Sequence, residues 1–198
     1  SVIQTRARYF LFVPWIFEQA ERSKRPDALV GRAELMERKL ITALLAGGDH
    51  EGLIGRQAGR DVRTLPSSIY WSGLAAYGIF LRPGLTKAQY GRAVLRPPTR
   101  LEQDDELGER STSFWHREIP APPSGFFEFT RCDFALTHHE ADWLSERVLS
   151  TEDLRGPNLL GPLVRALRGG TALVDGPFWA APLPPGLDPG IADLVRHA

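Results

Sequence analysis

The chain has 198 residues, of which 42% are hydrophobic and 24% charged, a composition typical of globular proteins and unlike that of disordered chains. Its 24 basic and 24 acidic side chains give a net charge of zero. The single cysteine, Cys132, excludes a disulfide-stapled domain, and no apolar run reaches the about 18 residues that a membrane span needs.

The first 48 residues predict two helices. The first runs from Ser1 to about Arg22, with a kink at Pro14, and its aromatic side chains surround it, which is typical of a helix buried on most sides. The second begins at Pro26-Asp27 and ends before Gly47-Gly48. Its apolar stripe comprises Leu29, Ala33, Met36, Leu40 and Leu44. Mostly off that stripe lie the charged residues Glu34, Glu37, Arg38 and Lys39.

Two shorter helices are predicted after a turn-rich stretch. The third begins at Leu65-Pro66-Ser67-Ser68, and Gly78 ends it. The fourth covers Lys87 to Leu95, because Thr86 and Gln89 have the spacing of a capping box, in which each side chain bonds the backbone of the other residue.

The remaining chain predicts a linker and a second helical part. Residues 96–125 are rich in proline and serine and contain an acidic run, which is typical of a solvated or mobile connection. Phe126 to Leu136 predicts a short strand or extended segment, and Thr137 with Glu140 forms a second capping box that begins a helix. Further helices are expected at about 158–168 and from Pro189.

These elements predict a mainly α fold, a helical bundle with at most one short extended or strand segment. We expect two lobes, a basic one at 1–95 and an acidic one at 126–198, joined by the linker 96–125. The chain starts at Ser1 and ends in a short helical pattern, so we expect a fragment whose second lobe is truncated.

Two sequence motifs carry a family resemblance. They are TRARYFLFVPWI at residues 5–16 and LPSSIYWSGL at residues 65–74. Together they resemble an uncharacterised bacterial family catalogued as a domain of unknown function, number six-three-six-one in that series. The resemblance covers most of the chain and implies a bacterial cytoplasmic protein. It implies no activity and supplies no catalytic residue.

No common catalytic motif is present. The sequence lacks the Gly-Lys pair of a phosphate-binding loop, and it lacks G-x-S-x-G, H-E-x-x-H and G-x-G-x-x-G. Glu37 and Lys39 have the E-x-K spacing of some metal-dependent nucleases, but such sites usually lie on strands, whereas residues two apart on a helix diverge. We therefore expect a non-catalytic protein without a cofactor.

The sequence has one histidine cluster, His138 and His139 with Asp142 nearby. His138 and Asp142 would share a helix face and could hold a metal with His116 or Cys132 as a third ligand. Histidines in an exposed first helical turn are usually solvated, so we expect no metal there.

Charge is divided unevenly along the chain. Residues 1–100 hold 16 basic and 8 acidic side chains, and residues 101–198 hold the reverse. Within 52–100 there are 8 basic side chains and one acidic side chain. Such asymmetry indicates either a polyanionic partner for the basic segment or two halves that neutralise each other.

The basic segment surrounds a pattern compatible with a helix-turn-helix unit, whose second helix would be the third predicted helix. Serines and backbone N–H groups at a helix start suit phosphate contact, and flanking arginines supply salt-dependent attraction. The candidate nucleic-acid-binding residues are Arg56, Arg60, Arg63, Ser67, Ser68, Tyr70, Arg82, Lys87 and Arg92. Of these, we expect Ser67, Ser68 and Tyr70, together with Ser72, on the outside of the helix.

Three functions are compatible with these sequence features. The first is a non-catalytic subunit of a bacterial multi-component system that binds DNA or RNA. The second is a protein–protein scaffold in which the basic and acidic lobes bind each other or another subunit. The third is a hydrolase or nuclease whose site would be completed by residues outside this sequence.

Overall fold

The computed structural model describes residues 4–22, 28–48, 50–58, 62–95, 113–130, 132–155, 161, 164–165 and 168–169. Within these residues five α-helices have defined bounds. They are Tyr9–Glu21 (α1), Leu29–Ala46 (α2), Pro66–Ala76 (α3), Lys87–Leu95 (α4) and His138–Arg155 (α5). The described residues contain no strand, and an isolated antiparallel bridge pairs Phe80 with Trp115. The predicted mainly α fold is confirmed.

The strand alternative for the segment after Gly125 is wrong. Phe126–Glu128 forms a single 3-10 turn. The residues on either side of it have positive φ angles, 77° at Gly125 and 54° at Phe129. Left-handed backbone on both sides turns the chain sharply, so the alternating aromatics of this segment cannot lie along a strand.

Helix α1 is the centre of the core. Ten of its 13 residues are buried, as its encircling aromatic side chains predict. Tyr9 and Phe10 pack against the ring of Tyr70 in α3, with centroids 5.1 and 4.9 Å away. Phe12 stacks on Phe126 at 5.5 Å. The helix therefore holds α3 on one side and the chain after Gly125 on another.

Helix α1 begins at Tyr9, later than predicted, because a tyrosine from α3 fixes the chain ahead of it. The hydroxyl of Tyr70 accepts a hydrogen bond from the N–H of Arg6 at 3.0 Å and donates one to the carbonyl of Arg6 at 2.9 Å. Both peptide groups of Arg6 are thus bonded to a side chain 64 residues away in sequence.

Helices α2 and α4 cross in antiparallel directions. The Cβ that an alanine would add at Gly91 in α4 would lie 2.7 Å from Val30 Cγ2 in α2, so the two backbones approach closely. One turn further along α2, Glu34 Oε1 lies 3.9 Å from Lys87 Nζ at the start of α4. These two contacts place the start of α4 beside the second turn of α2.

The loop between α3 and α4 runs back along α3. The N–H groups of Ile79 and Phe80 both donate to the carbonyl of Leu74 at 2.9 Å, and Trp71 Nε1 donates to the carbonyl of Leu85 at 2.7 Å. The chain therefore returns from the end of α3 towards its beginning before α4 starts.

Both predicted capping boxes are present. Thr86 N–H donates to Gln89 Oε1 at 2.8 Å and Gln89 N–H to Thr86 Oγ1 at 3.2 Å, where α4 begins. At the start of α5, Thr137 N–H donates to Glu140 Oε2 at 2.7 Å, and Glu140 N–H donates to Thr137 Oγ1 at 3.2 Å.

A buried arginine joins the first turn of α5, and the chain just before it, to the beginning of α1. Arg8, whose side chain is 8% exposed, makes one ion pair with Glu140 at 3.1 Å and another with Asp133 at 2.6 Å. The Glu140 side chain is 5% exposed and that of Asp133 is 67% exposed. The Arg8–Glu140 pair is therefore shielded from water, and the Arg8–Asp133 pair extends to the surface.

The chain divides into two units, Ser1–Ala141 and Asp142–Ala198, with the division inside α5. In the second unit Arg168 donates to the carbonyl of Asp142 at 3.2 Å. Most of the predicted linker and the helix predicted from Pro189 lie outside the described residues, so the division into lobes at 96–125 stays a prediction. No helix among the described residues is long and apolar enough to cross a bilayer.

Candidate nucleic-acid interface

The basic residues selected from the sequence are mostly at the surface. Arg56, Arg63, Arg82 and Arg92 are exposed. Arg60 lies outside the described residues. Lys87 differs from the others, because its side chain is only 21% exposed and its ammonium group points into a polar cluster.

Two of the three residues that were expected to reach a ligand from α3 are buried instead. Ser67 and Tyr70 are both fully buried, so the prediction that they lie on the outside is wrong. Tyr70 packs between the rings of Tyr9 and Phe10, and its hydroxyl is occupied by the backbone of Arg6. Ser68 is exposed, as predicted.

Ser67 is buried because it bonds a carboxylate from α2. Its backbone N–H donates to Glu37 Oε1 at 2.6 Å, and its hydroxyl donates to Glu37 Oε2 at 2.8 Å. The N–H of Ser68 donates to the carbonyl of Leu65 at 2.9 Å. The start of α3, which was expected to receive a phosphate, thus already receives a carboxylate of its own chain.

Glu37 is fully buried, although the sequence pattern predicted it mostly off the apolar stripe. A signal for burial was present, because Ala33, Glu37, Leu40 and Leu44 follow helical spacing and all four are buried on one face of α2. Burial raises the pKa of Glu37 to about 7, while the bonds from Ser67 and the charge of Lys87 act in the opposite direction.

Lys87 joins α4 to the same group of residues. Its ammonium group donates to Ser67 Oγ at 3.0 Å and to Ser68 Oγ at 2.9 Å, and it lies 3.9 Å from Glu34 Oε1. We call Glu34, Glu37, Ser67, Ser68 and Lys87 the α2–α3–α4 junction.

The geometry between α2 and α3 differs from that of a compact helix-turn-helix unit. Such a unit joins its helices by a turn of about three or four residues. Here residues 47–65 separate the two helices, and their described part is made of turns and bends. The supposed recognition helix is also held in the core by Ser67 and Tyr70.

The Glu37-x-Lys39 spacing, which resembles that of some metal-dependent nucleases, lies on a helix and not on a strand. Glu37 and Lys39 both lie in α2, where Glu37 is buried and Lys39 is exposed. Their side chains diverge, so they cannot hold one metal together. His138 and His139 are exposed at the start of α5. Among the residues described, no group of three or more His, Cys, Asp or Glu side chains could hold a metal ion.

Comparison with known proteins gives one match. A family model described as a family of unknown function, DUF6361, matches residues 1–182. No curated protein and no solved structure matches the chain.

Proposed function

We propose that this chain, which belongs to the DUF6361 family of unknown function, is a cytoplasmic, non-catalytic subunit that binds nucleic acid through exposed arginines. One observation carries the proposal. Every charged side chain in residues 62–95 is basic, and three of these four side chains, Arg63, Arg82 and Arg92, are exposed. Arg56 extends the exposed set before α3.

The proposed contact is with phosphates and is independent of base sequence. Exposed arginines attract the nucleic-acid backbone and release bound counterions, so affinity depends steeply on salt. Base readout needs side chains that enter a groove, and the burial of Ser67 and Tyr70 removes two of the candidates for that role. The compact helix-turn-helix geometry is not needed for a phosphate-directed surface.

Fluorescence anisotropy with duplex DNA and with RNA tests the proposal. If four arginines each contact a phosphate, the logarithm of the binding constant falls by about 3.6 for each tenfold rise in salt on duplex DNA. Arg63→Ala and Arg82→Ala should each flatten that slope by about 0.9 and weaken binding to all sequences alike. The matched control is Arg117→Ala, an equal change of charge at an exposed site outside the basic segment.

The result that would refute the proposal is absence of binding to both nucleic acids at micromolar protein and low salt. Equal effects of Arg117→Ala and Arg63→Ala would also refute it, because they would show that net charge rather than this surface determines affinity.

A second candidate is the protein–protein scaffold, and a specific contact favours it. Arg8, from the basic half of the chain, is buried against Glu140 and Asp133 of the acidic half. This supports a role in which the two halves neutralise each other. The scaffold role predicts self-association or a protein complex that weakens as salt rises, because salt screens attraction between surface charges. Analytical ultracentrifugation of the purified protein at low and high salt measures this.

A further inference from the structure

The α2–α3–α4 junction contains a chain of polar contacts that ends on a buried acid. Lys87 Nζ donates to Ser67 Oγ at 3.0 Å, and Ser67 Oγ donates its own proton to Glu37 Oε2 at 2.8 Å. Glu37 Oε1 accepts the backbone N–H of Ser67 at 2.6 Å. Glu37 is fully buried, so this carboxylate has protein donors in place of water.

The contacts fit an ionised Glu37, because both of its carboxylate oxygens accept hydrogen bonds from Ser67. A serine hydroxyl has one proton to donate and two lone pairs that accept. If Glu37 carried a proton on Oε2, that O–H group and the ammonium group of Lys87 would both donate to Ser67 Oγ. The proton of Ser67 would then have lost its present acceptor at a buried position, which is costly. A neutral Glu37 also no longer attracts the ammonium group of Lys87.

We propose that Glu37 is a proton switch for Lys87: the ionised carboxylate retains the lysine ammonium in the junction, and proton uptake releases it to the surface. Lys87 is then available to a polyanion beside the exposed arginines. This last step rests on the proposed function, whereas the switch itself does not. Glu37 should take up its proton near neutral pH, because burial raises the pKa of its carboxyl group to about 7.

The other charged and titratable groups at the junction define the controls. On α2, Glu34 lies 3.9 Å from Lys87, and its side chain is 39% exposed. On α1, Tyr9 is buried, and burial raises the pKa of its hydroxyl, so it stays neutral at physiological pH. Helix α3 contributes the uncharged Ser67 and Ser68, and α4 contributes Lys87. Within the part of the chain that the structure describes, Glu34 is therefore the one other acid whose titration Lys87 would sense directly.

Lysine-selective NMR tests the switch in the intact protein. The sequence has only three lysines, Lys24, Lys39 and Lys87, so a sample with 15Nζ-labelled lysine gives few signals, and Lys87→Arg assigns the one of interest. We expect the Lys87 signal to move with a midpoint near pH 7. The exposed Lys39 should show no such step. Glu37→Gln should abolish the step, and the matched control Glu34→Gln should leave it in place.

The outcomes separate the switch from the proposed function. A Lys87 signal that stays flat from pH 5 to pH 8 in the wild type overturns the switch, even if Glu37→Gln fails to fold. A step that persists in Glu37→Gln overturns it as well. The fluorescence anisotropy titration, repeated at several pH values, tests the link to nucleic acid. The affinity of the wild type should rise below pH 7, and the salt dependence of the logarithm of the binding constant should steepen by about 0.9 for one added phosphate contact. An NMR step without nucleic-acid binding would retain the switch and refute the proposed function.

Discussion

Replacing Arg8 by methionine should destabilise the protein more than any change at a surface arginine. Methionine keeps much of the apolar stem of the side chain and removes the guanidinium group. Glu140, at 5% exposure, would then be a buried charge without its counter-ion. Breaking a buried pair by removing one partner costs about 3–5 kcal/mol, which is a large part of a typical total stability. For a chain of this size that corresponds to a fall in Tm of roughly 6–20 °C.

The two acids that contact Arg8 should respond differently. Asp133 is 67% exposed, so the Arg8–Asp133 pair is screened by water, and Asp133→Asn should cost about 1 kcal/mol or less. The double variant Arg8→Met/Glu140→Gln removes the buried charge together with its partner. The amide oxygen of glutamine can still accept the N–H of Thr137, so the capping box survives. The double variant should therefore regain most of the stability that Arg8→Met loses.

Urea unfolding at neutral pH, followed by tryptophan fluorescence, measures these differences. The control is Arg63→Met, the same change at an exposed site, which should stay within about 0.5 kcal/mol of the wild type. A loss below about 1 kcal/mol for Arg8→Met would show that the ion pair is not shielded from water. A double variant as unstable as Arg8→Met would refute the explanation by an uncompensated charge.

Three further results are expected. Burial raises the pKa of Cys132 to about 11, so at pH 8 roughly one thiol in a thousand is ionised, and reaction with a thiol reagent should be slow until urea unfolds the protein. Gly91→Ala would place its new Cβ 2.7 Å from an α2 side chain, so urea unfolding should show a loss of about 1–3 kcal/mol of stability. The matched control is Gly31→Ala, whose Cβ meets no atom within 4 Å and which should stabilise α2 by up to about 1 kcal/mol. Trp15→Phe removes the 2.6 Å hydrogen bond to the carbonyl of Pro120 and leaves that buried acceptor unpaired, so thermal unfolding should report a loss of about 1–3 kcal/mol.

The sequence predicts the helices well because their signals are local. Thr86 with Gln89 and Thr137 with Glu140 each encode a helix start within four residues, and the structure has both bonds of each box. Pro66 and the apolar spacing after it likewise locate α3. Such features depend on backbone geometry that neighbouring residues alone determine.

The candidate site was harder to predict, because its residues acquire their roles from distant partners. Ser67 looks like an exposed helix-start serine until Glu37, 30 residues earlier, is known to bond it. Tyr70 is fixed by Arg6, which is 64 residues away. The spacing of Glu37 on the apolar face of α2 was a usable signal, but the charge of the residue argued against burial.

The central position of α1 in the core also affects how the chain folds during translation. The helix precedes its partners in the chain, and Arg8 meets Glu140 only 132 residues later. At a synthesis rate of about 5–20 residues per second, the two are translated on the order of ten seconds apart. During that interval the aromatic side chains of α1 have no complete core to enter. The nascent chain should therefore be a substrate for chaperones that bind exposed aromatic segments.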